Sequence, residues 1–487
     1  MNRYIISVLV ASAITACSPT PCNVSKVGTQ PHIFPDYADV CIPVGIAPLN
    51  FSVDSADYLY ATATGSTNGE INTNGPCTNF DLQQWHTLTQ QNKGGKITIS
   101  VVARIGNQWK QYEPFSINIS TDTLPDYGLT YRKIAPGYET FSSIGIFQRS
   151  LSSFAEEPII CSSAIESQCM NCHTACHNNP SIFTMHVRGP NGGTLVQRNG
   201  QRTWLCTKTD STIANCMYPY WHPSGNYCAY SVGKVHQIFL VGKESNIEVL
   251  DESSDATILD VRTNQLLLAP CLMTPDLETY PTFSADGSQL FYCTAKARKL
   301  PAEYDQLRYD ICAVSFNDSL GTLGTHIDTL LKVSDKGVSA TLPRPSSDGK
   351  FIIYCLTNYG YFPIDPPEAD LWIMDLRTRQ SRPLTEVNSN NSESFHNWSS
   401  NSRWIVFSSR RVDGLYSLPY IAHIDTAGIA SKPFVLPQLN PKEFYLQSLY
   451  SYNVPEFTLT PVEFDIQEAQ KEIFSNERIQ LTTKNNY

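Results

Sequence analysis

A four-fold repeat in the second half of the chain constrains the fold more than any other feature of the sequence. Each copy is a tight turn of five residues that leads into an apolar strand. The turns are Trp221-His222-Pro223-Ser224-Gly225, Phe283-Ser284-Ala285-Asp286-Gly287, Pro345-Ser346-Ser347-Asp348-Gly349 and Trp398-Ser399-Ser400-Asn401-Ser402. Their last residues lie about 62, 62 and 53 positions apart, a spacing typical of β-propeller blades with insertions.

A second repeated strand follows each turn and carries an apolar centre between polar ends. The four copies are Asp255 to Asp260, Asp310 to Ser315, Asp370 to Asp375 and Tyr420 to Asp425. Together, turn and strand resemble the W-S-P-D-G and D-L-W-x-M-D pattern of TolB-like β-propellers over roughly residues 180 to 460. This resemblance implies a propeller of about six blades, which we place at residues 121–465.

The composition agrees with an all-β protein. The chain has 25 Tyr, 21 Phe and 31 Pro, which favour strands and turns over helices. Its formal net charge of −10 argues against nucleic acid as a partner and against adhesion to anionic lipid.

The front of the chain lacks the repeated turns. Short stretches of period-two character suggest an immunoglobulin-like β-sandwich over residues 31–120. These stretches are Val40 to Val44, Ala47 to Val53, Tyr58 to Thr64, Lys96 to Ala103 and Ser116 to Ser120. The last residues, 466–487, are expected to form a polar C-terminal tail.

The N-terminus has the form of an export signal. Arg3 precedes the apolar stretch Ile5 to Ile14, which is too short to span a bilayer. Ile14-Thr15-Ala16-Cys17 then resembles the lipobox of bacterial lipoproteins, which implies a signal peptide at 1–17, lipidation of Cys17 and a linker at 18–30. Ser18 implies transfer to the outer membrane, facing the periplasm or the cell surface. An ordinary signal peptide is the alternative, and the lipid is the only membrane attachment expected.

The run Cys169-Met170-Asn171-Cys172-His173 has the C-x-x-C-H form that attaches a c-type haem. Two thiols at this spacing add to the two vinyl groups of one porphyrin, and the imidazole becomes an axial iron ligand. We therefore expect one covalent haem c on a short insertion at residues 160–190, with little helix because Pro180 follows. Zinc, iron–sulfur or disulfide chemistry stays open because three more candidate ligands lie nearby: Cys161, Cys176 and His177.

The sixth iron ligand is predicted from proximity in sequence. His186 is the first choice and Met185 the second, while Arg188 supplies a guanidinium for a haem propionate. Two further candidates break the blade repeat. His222 stands where other turns carry Ser284, Ser346 and Ser399, and His396 stands where other strands carry Pro219, Pro281 and Pro343. Local hydrogen bonding within the turn is the alternative reading of both histidines.

The remaining cysteines fit the repeat. Cys293 and Cys355 take the place that Ser231 and Ser408 take in the other copies, so we expect small, free and buried thiols there.

The whole pattern resembles predicted outer-membrane lipoproteins of the Bacteroidetes type, in which one C-x-x-C-H precedes a TolB-like propeller. Cys169 to His173, His186 to Gly189 and Trp221 to Pro223 carry this resemblance. It implies haem attachment and location but no substrate. Two functions follow: a lipid-anchored c-type cytochrome that docks a redox partner through its propeller face, or a non-haem propeller scaffold of the cell envelope. Either is an electron carrier or binding protein rather than a catalyst.

Overall fold

A computed structural model describes residues 19–135, 144–239 and 247–485. It contains an N-terminal β-rich region and a six-bladed β-propeller, which confirms the predicted all-β class and the number of blades. Within these residues no helix has the length and apolar character needed to cross a membrane. The predicted signal peptide and Cys17 lie outside the described residues.

The N-terminal region is one curled sheet with a helix against it. Its elements are β1 (Ser25–Lys26), β2 (Ile33–Phe34), β3 (Cys41–Ile42), β4 (Ser52–Val53), β5 (Tyr58–Gly65), β6 (Glu70–Gly75), α1 (Leu82–Gln91), β7 (Lys96–Ile105), β8 (Gln108–Gln111) and β9 (Phe115–Ile119). The first half of β7 pairs with β9 and its second half with β8, while β5 pairs along its length. Strands β2 and β4 form a separate ribbon.

The immunoglobulin-like sandwich predicted for 31–120 is not confirmed. The five predicted strand stretches contain β3, β4, β5, β7 and β9, but pairing through β7 joins most strands into one sheet. Helix α1 was not predicted. It begins because the Asp81 side chain accepts a hydrogen bond from the Gln84 N–H at 2.9 Å, and it buries Trp85 against Phe80.

Each propeller blade is a four-stranded antiparallel sheet. From the innermost strand outward, blade 1 is β33 (Ser451–Thr458), β10 (Gly128–Ile134), β11 (Gly145–Ser150) and β12 (Glu156–Cys161), and blade 2 is β13 (Cys169–Cys176), β14 (Asn179–Arg188), β15 (Gly193–Arg198) and β16 (Gln201–Cys206). In the same order, blade 3 is β17 (Cys216–Trp221), β18 (Tyr227–Phe239), β19 (Ile247–Asp260) and β20 (Gln265–Leu268), and blade 4 is β21 (Leu277–Phe283), β22 (Gln289–Ala295), β23 (Asp310–Asn317) and β24 (Thr322–Leu331). Blade 5 is β25 (Ser339–Pro345), β26 (Phe351–Thr357), β27 (Asp370–Asp375) and β28 (Ser381–Pro383), and blade 6 is β29 (Glu393–Trp398), β30 (Trp404–Ser409), β31 (Leu418–His423) and β32 (Phe434–Val435).

Two segments that lie far apart in the sequence close the ring. Strand β33, from near the C-terminus, is the innermost strand of blade 1 and pairs with β10 from Gly128↔Thr458 to Ile134↔Ser451. The ring is therefore held shut by backbone hydrogen bonds between segments more than 300 residues apart. This closure supplies the fourth strand of blade 1 from the opposite part of the chain.

All six innermost strands share one bulge. A residue with positive φ interrupts each strand: Cys172 (53°), Tyr218 (52°), Tyr280 (50°), Leu342 (52°), Phe395 (47°) and Val454 (49°). The ladder to the neighbouring strand shifts register at the same place in each blade. Proline follows the bulge in four blades, whereas His173 and His396 follow it in blades 2 and 6. The bulge is thus a repeated feature of the propeller and aims one side chain per blade inward.

The segment predicted as a haem-bearing insertion, 160–190, is instead regular blade structure. It comprises the end of β12, a short 3-10 turn (Ser162–Ala164), and strands β13 and β14, the two inner strands of blade 2. The expected low helix content agrees with this, since the short turn is the only helical piece within the described range 160–190, and from Cys169 the chain continues the ring and pairs in antiparallel register with β14.

The predicted polar tail, 466–487, contains regular structure within its described part, which reaches Asn485. It contains α3 (Ile466–Ser475), β34 (Ile479–Gln480) and β35 (Thr482–Asn485), and helix α2 (Pro441–Gln447) lies just before β33. Strand β34 adds in parallel to β16 and β35 to β20, so the segment joins blades 2 and 3 at their outer edges. Glu472 of α3 accepts hydrogen bonds from Arg202 and from the Trp204 indole at 2.9 Å, which fixes the helix against blade 2.

Candidate functional site in the central channel

The innermost strands surround a channel, and the larger recess in it lies at the end where these strands begin. This central cavity has a volume of about 180 Å³ and takes side chains from all blades but the fourth. Its lining comprises Arg132, Asn171, Cys172, His173, Arg188, Met217, Tyr218, Pro219, Val235, Gln237, Val249, Leu342, Arg344, Tyr361, Phe362, Phe395, Asn453, Val454 and Glu456. A smaller recess occupies the opposite end, and Glu456 lines both.

Three arginines give the central cavity a positive character. The Arg132 Nη2 group donates to Cys169 Sγ at 3.3 Å, and Arg344 Nη1 donates to Thr282 Oγ1 at 3.0 Å. The Arg188 Nε and Nη2 groups each lie 3.1 Å from the carboxamide oxygen of Asn171 when that amide is oriented to accept them. Among the described residues none of the three forms a salt bridge. The hydrogen-bond partners named here are all neutral groups.

Among the described residues, Glu456 is the one carboxylate in the lining of the central cavity. Its side chain is 7% exposed, and its Oε2 accepts a hydrogen bond from the Ala175 N–H at 3.2 Å. Burial raises the pKa of Glu456 to about 7, although Thr174, the Ala175 N–H and the positive Arg344 each oppose the rise. At neutral pH this carboxyl is therefore close to half protonated, and the cavity carries an excess of positive charge.

Apolar and aromatic side chains form the rest of the wall. Leu342 and Phe395 come from the inner bulges of blades 5 and 6, and Phe362 follows β26. Tyr218 contacts Tyr280 at 4.8 Å between ring centroids, and Tyr280 stacks on Tyr361 at 5.7 Å. This aromatic group supports one side of the cavity with a rigid surface.

A long hairpin covers the mouth of the central cavity. Strands β18 and β19 pair from Tyr227↔Asp260 to Phe239↔Ile247, well beyond the length of the other blade strands. Val235, Gln237 and Val249 of this hairpin line the cavity. The Tyr359 hydroxyl donates to Glu248 at 2.7 Å, which connects the hairpin to blade 5 across the mouth.

The C-x-x-C-H motif lies on β13, and its residues divide between two environments. Asn171, Cys172 and His173 line the central cavity, with Cys172 at the bulge. Cys169 does not line it; it is 8% exposed and belongs to an apolar cluster between blades 1 and 2. The two thiols that a haem would bind therefore lie in different surroundings.

His173 is buried in the wall and lacks hydrogen bonds. Its side chain is 1% exposed, and neither ring nitrogen has a hydrogen-bond partner of normal geometry among the described residues. Burial, and secondarily the positive Arg132, lower the pKa of His173 to about 3, with the Thr130 backbone opposing them. The imidazole is therefore neutral at physiological pH and has one N–H to donate.

The residues as placed do not fit a haem bonded to both thiols. Only Cys172 faces the central cavity, and a volume near 180 Å³ resembles the roughly 150 Å³ cavity that accommodates benzene, far less than a porphyrin needs. In addition, no group of three or more His, Cys, Asp or Glu side chains in the described ranges is arranged to hold a metal ion. Haem attachment stays a prediction from the motif.

None of the predicted sixth ligands lines the central cavity. His186 Nδ1 is hydrogen-bonded to Thr194 Oγ1 at 2.9 Å, and Met185 is fully buried in the cluster that holds Cys169. His222 hydrogen-bonds Ser224 in its own turn at 2.8 Å and donates to the Gly287 carbonyl, as the local reading of that position predicts. His396 donates to the Ile353 carbonyl at 2.9 Å. Arg188, in contrast, does lie beside His173 in the cavity lining.

The other candidate ligands near the motif are dispersed. Cys176 is buried and donates to the His222 carbonyl at 3.4 Å, and burial raises the pKa of its thiol to about 12. Cys161 and Cys176 are free thiols, and His177 lines the smaller recess. These residues, as described, do not form an assembled zinc site or a disulfide.

Sequence reasoning missed Arg132, Arg344 and Glu456. A signal for two of them was present in the repeat. The position two residues after each bulge carries Thr174, Tyr220, Thr282, Arg344, Asn397 and Glu456. Charged residues at a position that is otherwise neutral, on strands that face a channel, indicate a polar site there.

Comparison with known proteins gives matches among solved structures alone. No protein-family model and no curated protein matches the chain. The structure is similar to TolB from Acinetobacter baumannii, with 13% identity, 75% of this chain and 80% of that chain covered, and a TM-score of 0.44. For Kuenenia stuttgartiensis hydrazine synthase the values are 10%, 71%, 50% and 0.43. For a putative 6-phosphogluconolactonase from Bacteroides fragilis they are 12%, 79%, 97% and 0.30. These similarities concern the fold alone, and by its own strand pairing the chain is a six-bladed β-propeller protein.

Proposed function

We propose that this chain is a binding protein of the bacterial cell envelope, whose ligand enters the central cavity beneath the β18–β19 hairpin. The observation that carries the proposal is a recess lined by three arginines without a salt bridge in the described structure, an unpartnered buried imidazole and an aromatic wall. Ligand pockets combine an apolar lining with a few converging polar groups in this way. The proposal corresponds to the non-haem scaffold function.

The location in the envelope is supported by the sequence alone. The short apolar stretch Ile5 to Ile14 and the lipobox ending at Cys17 favour export and lipid attachment. On this proposal the propeller is held at the outer membrane by lipid, and its hairpin-covered face is available to a ligand or partner.

The test fills the cavity and measures binding. Tyr218, Tyr280 and Phe395 occupy the bulge position in other blades, so a Cys172→Tyr side chain suits the backbone there and occupies the recess. Single-ring fragments, both neutral and charged, are screened against wild type, Cys172→Tyr and the control Cys22→Tyr, which changes an exposed cysteine. We expect saturable binding that Cys172→Tyr abolishes and Cys22→Tyr keeps. No saturable binder, or binders that survive Cys172→Tyr, would overturn the proposal.

A second candidate is a c-type cytochrome with haem bound to Cys169 and Cys172. The observation that favours it is the unpartnered His173 imidazole beside Cys172, because an iron ligand needs a free ring nitrogen. Bound haem would supply reversible one-electron chemistry for an envelope redox partner. On this candidate Arg188 would bind a propionate, as expected from the sequence.

The second candidate is tested on protein made in a host with the haem-attachment machinery. Intact mass and pyridine haemochrome absorbance should show one porphyrin, and Cys169→Ser with Cys172→Ser should remove it. A mass without porphyrin leaves the non-haem binding protein as the function.

A further inference from the structure

We infer that the ligand of the central cavity is a monoanionic organic acid, a carboxylate attached to a single-ring aromatic or similar apolar group, bound by Arg132, Arg188 and Arg344. This inference rests on the proposed function and names the ligand class of that site. The same chemistry is found in a free small acid and at the C-terminus of a polypeptide that ends in an apolar residue.

The arginines supply the first part of the argument. Arg132 is half-buried, and its Nε atom is buried without a hydrogen-bond partner among the described residues. A charge in this position loses hydration that its neutral neighbours replace only in part, so a ligand that brings a negative charge recovers the loss. The guanidinium fork binds a carboxylate or a phosphate through two parallel hydrogen bonds.

The three arginines come from different blades, which favours a common target. Arg132 lies on β10 of blade 1, Arg188 on β14 of blade 2 and Arg344 on β25 of blade 5. The field of these groups is felt across the cavity. Arg188 opposes the burial that raises the pKa of Tyr218, and Arg344 opposes the rise at Glu456.

His173 provides a further polar contact. Its imidazole is neutral and buried in the cavity wall, and apart from the Thr130 backbone, which raises its pKa, it has no hydrogen-bond partner of normal geometry among the described residues, so an N–H can donate to a ligand oxygen. A buried donor left unpaired is destabilising, and a bound carboxylate would satisfy it.

Size and wall chemistry limit the rest of the ligand. A cavity of about 180 Å³ holds one ring with a short acid group, and Leu342, Phe362 and Phe395 present apolar surface to it. Inorganic phosphate would leave that surface uncovered.

The experiment compares acids with their amides on the full mature protein by calorimetry. The probes are 3-phenylpropionate and 3-phenylpropionamide, and a tetrapeptide ending in phenylalanine with a free or an amidated C-terminus. The variants are Arg188→Gln, which changes an exposed side chain at the mouth, and the control Arg298→Gln, which changes an exposed arginine that does not line the cavity.

We expect the acid to bind at least about tenfold more tightly than its amide, because a hydrogen-bonded charge pair is lost in the amide. Arg188→Gln should weaken the acid about tenfold and leave the amide unchanged, while Arg298→Gln should change neither. Tighter binding by the free acid or by the free-terminus peptide identifies the source, and both support the inference. Equal binding of acid and amide overturns the inference but leaves the cavity as a ligand site. Absence of any single-ring binder overturns the proposed function itself.

Discussion

Replacement of Glu456 by glutamine should change how stability depends on pH. Glu456 is 7% exposed, and its carboxyl accepts the Ala175 N–H at 3.2 Å. The glutamine side chain has the same shape and keeps an oxygen for that hydrogen bond. The substitution therefore removes the titration and little else.

The size of the effect follows from the shifted pKa. Burial raises the pKa of Glu456 from 4.5 to about 7 in the folded protein. Between these values the folded state binds more protons than the unfolded state, so stability falls as pH rises through this window. The loss is complete above pH 7 and amounts to about 3 kcal/mol at 1.36 kcal/mol per pKa unit. The Glu456→Gln variant should not lose this stability as the pH rises.

The assay is urea unfolding of wild type and Glu456→Gln at pH 5 and pH 8, followed by tryptophan fluorescence. Burial also raises the pKa of Asp126, Asp251 and Asp255, each to about 6, but these groups titrate alike in both proteins and cancel in the difference. The variant should gain about 3 kcal/mol on wild type between the two pH values. The control Glu477→Gln, at an exposed carboxyl, should gain nothing. If the free energy of unfolding depends on pH equally in wild type and Glu456→Gln, the reasoning that burial raises the pKa of Glu456 is refuted.

Three further outcomes are expected. Met185→Ala should lower the free energy of unfolding by about 2–5 kcal/mol, because the side chain is fully buried. Met185→Leu should lower it by less than about 1.5 kcal/mol, and chemical denaturation compares the two variants. Deletion of 477–487 removes β34, β35 and the buried Leu481, and thermal unfolding should show a loss of at least about 2 kcal/mol; an unchanged midpoint would mean that the segment is not bound in solution. Cys17→Ala should move the protein from the membrane fraction to the soluble fraction, and retention in the membrane would point to another anchor.

The propeller could be predicted from the sequence because its signals are local. A turn and the strand after it are specified by neighbouring residues, as in Phe283 to Gly287 followed by β22, and their recurrence reveals the blades. The prediction of free, buried thiols at Cys293 and Cys355 is confirmed, since both are 0% exposed. The local hydrogen bonding of His222 also follows from its place in a turn.

Other features depend on contacts that no local pattern records. The pairing of β33 with β10 closes the ring, and the addition of β34 and β35 to blades 2 and 3 turns an apparently polar tail into bound structure. Much of the stabilisation of these strands comes from backbone hydrogen bonds to strands far away in the chain. Such bonds do not depend on a pattern of side chains, so the sequence indicates an exposed tail.

The candidate site shows most clearly which features the sequence predicts and which depend on tertiary structure. The sequence singled out Cys172, His173 and Arg188, which do line the central cavity, through the spacing of a motif. It did not show that the motif continues an inner blade strand, where a bulge directs Cys172 inward and leaves Cys169 in an apolar cluster. Nor did it bring Arg132, Arg344 and Glu456 to the same recess, because only ring closure places side chains from blades 1, 2 and 5 around one axis. Local chemistry set the residue types, and tertiary structure decided which of them share a site.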